Sequence, residues 1–339
     1  MLKNLLLIIA FLSPIREAFS QVVRTDTIPD VRNEALNIDT SFDYDELLNE
    51  LEMFLDSLLL PRSNFVASIS MGKGYFNYSK ASGQQLKTRD GLVYSPTIGY
   101  YHRTGPGLTL SGNVTDDGEK FNFYQLAITP SFDFIQNVNW IGGISYTRYF
   151  AKKSLPFYLS PLQNEVNAYF TWRKPWLQPG VTASYGWGSR TEYQKRERFI
   201  RLLLLRRGIA YVARSEEIAD LSLSASVRHS FYWMNVGSQR NYLKLTPQLL
   251  FAAGSQRFGF NRATSSSVAN VRRESSLMYN RGDISIDEKF KFQPLSASLY
   301  LRPEYNIGKI FIQPQFILDY YFPADDLAAL FSINAGIIL

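Results

Sequence analysis

From Asn64 to the end, apolar and polar residues alternate with period two, in segments of about ten residues. Val166, Ala168, Phe170 and Trp172 interleave with Asn167, Tyr169, Thr171 and Arg173. Leu221, Leu223, Ala225 and Val227 interleave with Ser222, Ser224, Ser226 and Arg228. Leu295, Ala297, Leu299 and Leu301 repeat the pattern with Ser296, Ser298, Tyr300 and Arg302. Successive strand side chains point to opposite faces, so each segment has one apolar and one polar face. A soluble sandwich is patterned likewise, and length separates the two. Tilted strands of about 9–11 residues cross a bilayer, whereas soluble strands average about 5–6. Composition narrows the field further. The 339 residues are 45% hydrophobic and only 19% charged, which excludes a disordered chain. The lack of cysteine excludes disulfide scaffolds and thiolate metal sites. The net charge of +6 gives no ground for a nucleic-acid partner.

Residues 1–20 read as an export signal: Lys3, the apolar run Leu5 to Leu12, and the small residues around Ala18 and Ser20. Residues 21–62 form a separate segment, with a helix predicted over 43–60 from Leu47, Leu51, Phe54, Leu55 and Leu58. Residues 63–339 form the alternating region. The fold class predicted is all-β, a transmembrane antiparallel up-and-down barrel of about twelve strands with a short N-terminal periplasmic helix. The strands fall near 64–76, 91–102, 107–116, 121–133, 139–150, 163–173, 181–190, 219–233, 241–253, 292–303, 309–322 and 327–339. A hairpin within 198–214 would raise the count to fourteen. Short turns alternate with longer connections at 77–90, 150–163, 189–219 and 254–291, as in barrels with short periplasmic turns and long external loops. Tyr100, Tyr101, Trp140, Tyr149, Trp172, Trp187, Trp233, Tyr320 and Tyr321 lie at strand ends and suit interfacial girdles. Pro96, Pro130, Pro247, Pro294, Pro303 and Pro314 fall inside strands; each removes a ladder donor, so bulges or kinks are expected there.

The signal, the aromatic-rich strands and the closing segment Leu330-Phe331-Ser332-Ile333-Asn334-Ala335-Gly336-Ile337-Ile338-Leu339 together resemble Gram-negative outer-membrane β-barrels. The Gln21 start and Met71-Gly72-Lys73-Gly74-Tyr75-Phe76 look like barrels of the Bacteroidota type without an assigned activity. The resemblance covers 64–339 and implies an outer-membrane location, contact with membrane lipid and lipopolysaccharide, and insertion by the barrel-assembly machinery. Such barrels usually end in an aromatic residue, a pattern from which Leu339 departs. A shared fold assigns no activity.

Eight-stranded barrels are filled by side chains and barrels of sixteen or more strands leave a channel; twelve lies between. The expected function is a narrow channel for small polar or anionic solutes. The alternative is a structural or interaction barrel that binds envelope components or lipopolysaccharide through external loops, with a membrane-embedded hydrolase as a minor alternative. The inward phase near the turn end carries Arg173, Arg228, Lys244 and Arg302, with Asp133 as the dissenting acid. Toward the loop end it carries Glu165, Asp220 and Asp319. The acids Asp43, Glu46, Glu50 and Asp56 make the helix over 43–60 a candidate plug for the basic mouth. In the loop 189–219, Arg196, Arg198, Arg201, Arg206 and Arg207 are candidates for lipopolysaccharide phosphates, because a guanidinium fork binds two oxygens at once. Outer-membrane phospholipases and lipid A deacylases carry a His-x-Ser pair on one face of a strand. Here His229 is followed by Ser230, on the opposite face, while His102 and Thr104 have the right spacing but sit in a turn. No enzyme, cofactor or metal is therefore expected, and the sequence names no specific protein partner.

Overall fold

The computed structural model describes residues 63–79, 86–116, 121–135, 137, 139–153, 155–206, 218–238, 241–255 and 292–339. The expected signal 1–20, the segment 21–62 with its helix and Asp43, Glu46, Glu50 and Asp56, Arg207, and most of the 254–291 connection lie outside them.

The alternating segments form β1 (Asn64–Ser79), β2 (Leu86–Tyr101), β3 (Pro106–Asp116), β4 (Phe121–Phe134), β5 (Trp140–Ala151), β6 (Leu162–Trp172) and β7 (Gln178–Gly188). A helix, α1 (Arg190–Arg206), follows. Then come β8 (Ala219–Arg228), β9 (Phe231–Met234), β10 (Asn241–Gly254), β11 (Gln293–Ile307), β12 (Ile310–Tyr321) and β13 (Asp326–Ile338). Apart from β8 and β9, which do not pair with each other, strands adjacent in sequence pair antiparallel, and β13 pairs with β1 to close the sheet. β8 and β9 both pair with β10 in one continuous register, Gln248 facing Arg228 and Leu245 facing Phe231. They are one wall strand with a gap, so the closed antiparallel barrel has twelve strands, not fourteen. The stretch that allowed an extra hairpin is helical from Arg190 to Arg206.

Strand boundaries follow the alternation to within a few residues, with one exception. β1 and β2 continue pairing out to Ser79 and Leu86, so the expected 77–90 connection shrinks to 80–85. At the opposite end Gly308 and Lys309 make a tight turn between β11 and β12; Gly308 takes φ 58, a left-handed conformation that glycine adopts without steric penalty.

The prolines behave differently from the bulges expected of them. Pro247 lies opposite His229, at the gap between β8 and β9, where it can accept from His229 N–H (3.3 Å) but cannot donate back. Pro303 and Pro314 face one another across β11 and β12, and the ladder skips that point with no change of register. Pro96 and Pro130 interrupt ladders in the same way. These five therefore drop hydrogen bonds without shifting the strands. Pro294 alone coincides with a register shift, between Ala252 and Ala253 of the paired strand.

The register shifts lie at the loop end of the wall, and each turns a bulky side chain inward. Tyr124 is the extra residue opposite Asn113 and Val114, and Leu295 the extra residue beside Pro294. A third shift follows Leu162 in β6. Tyr124, Leu162 and Leu295 are all buried. A bulge adds one residue to one strand and so reverses the facing of everything beyond it. This is why Leu295, apolar and outward by simple alternation, points into the barrel while Pro294 is exposed.

Outward positions are apolar and exposed: Ile98, Leu108, Ile144, Val181, Leu249 and Phe316 typify them. Aromatic pairs collect at both ends of this band. Phe132–Phe134 (5.1 Å), Trp140–Phe170 (5.7 Å) and Trp176–His229 (4.6 Å) lie at the turn end. Tyr94–Phe121 (5.6 Å), Tyr185–Trp187 (5.7 Å) and Phe251–Phe322 (5.9 Å) lie at the loop end. Tyr101, Tyr149 and Tyr321, expected in the girdles, are instead buried, because their parity along the strand places them on the inner face.

The closing seam leaves little room. A Cβ on Gly336 would stand 2.5 Å from the Ala67 carbonyl oxygen and 2.7 Å from the Phe311 ring. Gly336→Val is expected to destabilise the barrel by about 1–3 kcal/mol through overpacking. The check is the temperature at which the folded band is lost in heat-modified gel migration; an unchanged temperature would show that the seam yields.

Candidate functional site

The interior wall carries a polar belt built strand by strand. Lys244 faces Glu304, Gln313 faces Asn334, Asn334 faces Ser70, Ser70 faces Ser95, and Asn113 faces Gln125. Side chains tie the strands together along it. Gln313 donates to Glu304 (2.8 Å), Ser95 to Asn113 (2.8 Å) and Asn113 to Gln125 (3.0 Å). Glu304 also accepts from Asn306 at 2.7 Å. Buried polar groups are tolerated when hydrogen-bonded, each bond contributing about 0.5–1.5 kcal/mol net.

Of the inward charges expected from sequence, six share this interior: Asp133, Glu165, Asp220, Arg228, Arg302 and Asp319. Their exposures are 3%, 2%, 0%, 3%, 4% and 5%. Arg302 donates to Gln248, Tyr149 to Glu165 (2.9 Å), Tyr169 to Asp133 (2.9 Å) and Ser298 to Asp319 (2.6 Å). The other two expected bases are rim residues. Lys244 is half-buried, its Nζ 5.4 Å from the Tyr232 ring. Arg173 lies just past the end of β6, where its backbone N–H donates to the Asn139 carbonyl at 2.7 Å. Both bases thus lie at the turn-end mouth itself. Glu304, 3% exposed and two residues from Arg302 on the same face, was overlooked although its parity matches.

The loop end is covered. The 152–161 connection folds over the opening and places Phe157 against the inward rings of Phe76 (4.7 Å) and Tyr124 (5.4 Å). Val93, Leu155 and Leu159 complete this apolar cluster. On the far wall Leu250, Leu295, Tyr300, Ile317 and Leu330 form a second cluster at the same end. Helix α1 leaves β7 and reaches β2, five places round the wall, so it crosses the opening. Ser189 starts it by accepting from the Glu192 N–H, and Tyr193, Ile200 and Leu202 are its buried residues.

The arginines of α1 are not equivalent. Arg196 turns toward the barrel, donating to the Ser160 carbonyl and pairing with Glu192 at 3.3 Å. Burial holds its pKa below the ordinary arginine value, but a guanidinium stays charged. Burial raises the Glu192 carboxyl; the hydrogen bond and charge of Lys195, with the charge of Arg196, outweigh it and leave the pKa lowered. Tyr158 nearby is pushed up by burial. Arg201 pairs with Glu197 at 2.6 Å and Arg198 is exposed. Arg206 is the last residue of α1. So Arg196, first among the phosphate candidates, also ties α1 to the connection through Ser160.

His102 Nδ1 and Thr104 Oγ1 meet at 2.8 Å, but in an exposed turn where the same imidazole nitrogen also faces the Thr104 N–H. His229 bonds the Trp176 carbonyl at 2.6 Å and packs on Trp176 and Phe231, an interfacial setting. Among the described residues no three His, Asp or Glu side chains come together as metal ligands.

No family model matches the chain, and no curated protein matches it significantly. Solved structures with a similar trace are barrels. An outer-membrane channel from Pseudomonas putida F1 is 8% identical, with 83% of this chain and 97% of that one covered and a TM-score of 0.39. The translocator domain of the autotransporter NalP from Neisseria meningitidis is 12% identical, with 87% and 94% covered and a TM-score of 0.37. Outer-membrane phospholipase A from Escherichia coli is 11% identical, with 82% and 96% covered and a TM-score of 0.32. Overlaps this loose say nothing about activity, and the functional reading rests on this chain's own surfaces.

Glu304 holds two buried amide donors at once. Glu304→Ala leaves both without that acceptor and is expected to destabilise the barrel by about 1–3 kcal/mol, with Glu304→Gln less damaging. Urea unfolding in detergent micelles followed by tryptophan fluorescence measures this; equal midpoints for Ala and wild type would contradict the role given to Glu304.

Proposed function

We propose that the chain is an integral outer-membrane barrel whose lumen is closed by its own side chains and whose working surface is the loop end. Its role is that of an interaction barrel for envelope components, lipopolysaccharide among them. Burial carries this reading: seven acidic or basic side chains on the inner wall, Glu304 included, are each at most 5% exposed, whereas a water-filled pore leaves its lining wet. The cover formed by α1 and the 152–161 connection supports it. The membrane setting rests on the apolar outward band and its two aromatic girdles, an arrangement that bilayer-spanning strands require. Export through an N-terminal signal and insertion by the barrel-assembly machinery belong to the same reading.

A second reading is favoured by the polarity of the mid-lumen. Should α1 and residues 152–161 move aside, the belt with Arg228 and Arg302 would line a narrow path for small polar or anionic solutes.

Two measurements test these readings. The refolded chain in planar bilayers is expected to give no steady conductance; discrete steps with anion preference would replace the first reading with the second. Leu249→Arg, on the outward face midway along β10, is expected to destabilise the barrel in lipid by about 2–4 kcal/mol. If that face met water, the change would be close to neutral and the barrel would be extracted from the envelope fraction without detergent.

A further inference from the structure

At the loop end, beside the membrane band, the start of α1 and the end of β5 enclose a cleft with about 530 Å³ of empty space, counted to its open mouth. Its charged lining is Arg148, Lys153, Lys195 and Arg196 against a single acid, Glu192. The bases differ in how far they are already used. Glu192 serves Lys195 at 2.5 Å and Arg196 at 3.3 Å. Arg148 donates to the neutral Asn164 Oδ1 at 2.6 Å, and neither it nor Lys153 has a carboxylate partner among the described residues. One carboxylate thus faces four cations, an arrangement that leaves a net positive cleft.

We infer that this cleft binds the phosphate group of an anionic lipid in the loop-side leaflet. Four cations against one acid suit a phosphate monoester, which carries a charge of about −1.5 to −2, better than a singly charged carboxylate or sulfate ester. The position selects a lipid. Arg148 shares its outward parity with Phe150, which it overlies at 5.8 Å and which is itself exposed on the membrane band. A lipid phosphate entering the cleft would have its acyl chains run down beside Phe150 and Tyr146, whereas a soluble phosphate makes no use of an exposed ring. The inference rests on the membrane-spanning reading above and adds to it a headgroup and the residues that hold it.

The test is equilibrium binding of lipid A, the phosphate-bearing glycolipid, to the full mature chain in neutral detergent micelles, with inorganic phosphate as a separate probe. Lys153→Gln with Lys195→Gln, both exposed and therefore safe for folding, removes two cleft charges. Arg190→Gln with Lys309→Gln removes two exposed charges outside the cleft and is the charge-matched control. The cleft pair is expected to weaken lipid A binding about 25-fold, roughly fivefold for each base at an anionic surface. The control pair is expected to leave it within about twofold, since exposed charges outside the cleft are largely screened by salt. Equal losses in both pairs mean diffuse attraction and overturn the cleft. Inorganic phosphate that binds as tightly as lipid A overturns the lipid assignment. A chain that fractionates with the envelope yet ignores lipid A overturns this inference alone, while a chain absent from the envelope overturns the membrane reading beneath it.

Discussion

Lipid offers no hydrogen bonds, so a sheet that crosses a bilayer must pair every backbone donor and acceptor within itself. The pairing of β13 with β1 meets that demand, and much else follows from it. Closing twelve strands sets the width of the interior, which sets how large the inward side chains must be. It also makes the seam intolerant of bulk, which is why a glycine stands where Phe311 leans across from the next strand. The missing ladder bonds at Pro96, Pro130, Pro247, Pro303 and Pro314 are isolated gaps, each flanked by intact pairs in unchanged register. A closed sheet absorbs such gaps because its neighbours on both sides keep the strand in place.

The barrel inverts the usual arrangement of polarity. Its greasy residues face outward, and its interior is a layered polar core. A hydrogen-bonded belt of Ser, Asn, Gln and Glu occupies the middle, and apolar clusters close the loop end. Simple alternation already turns Phe76, Val93, Leu250, Ile317 and Leu330 inward at the loop end, and the bulges add Tyr124 and Leu295 to these apolar clusters. The packing of Phe157 on Phe76 and Tyr124 anchors the 152–161 connection there, and that connection in turn offers the Ser160 carbonyl to Arg196 of α1.

Charge on the inner wall follows the same economy. Arg302 stands between Gln248 on one side and the residue pair Glu304–Gln313 on the other, and Asp133 and Glu165 each accept from a tyrosine. Ionised groups removed from water are stable only when such partners are supplied. A mouth read from four bases and Asp133 leaves out the buried acid Glu304. Glu304 shares the inward parity of Arg302 and could have been counted from the same alternation; the tyrosine partners could not, because they come from neighbouring strands.

The class of fold, the spans of the strands, the helix-free wall and the identity of the inward charges were all written in the sequence, because a strand's facing repeats every two residues and is read along one chain. What only the tertiary structure decided was closure at twelve, the three register shifts, the contact of Arg196 with Ser160, and the passage of α1 from β7 toward β2. Each depends on which residues of separate strands or loops come to lie opposite one another. That is a matter of space between segments, and periodicity within one segment carries no record of it.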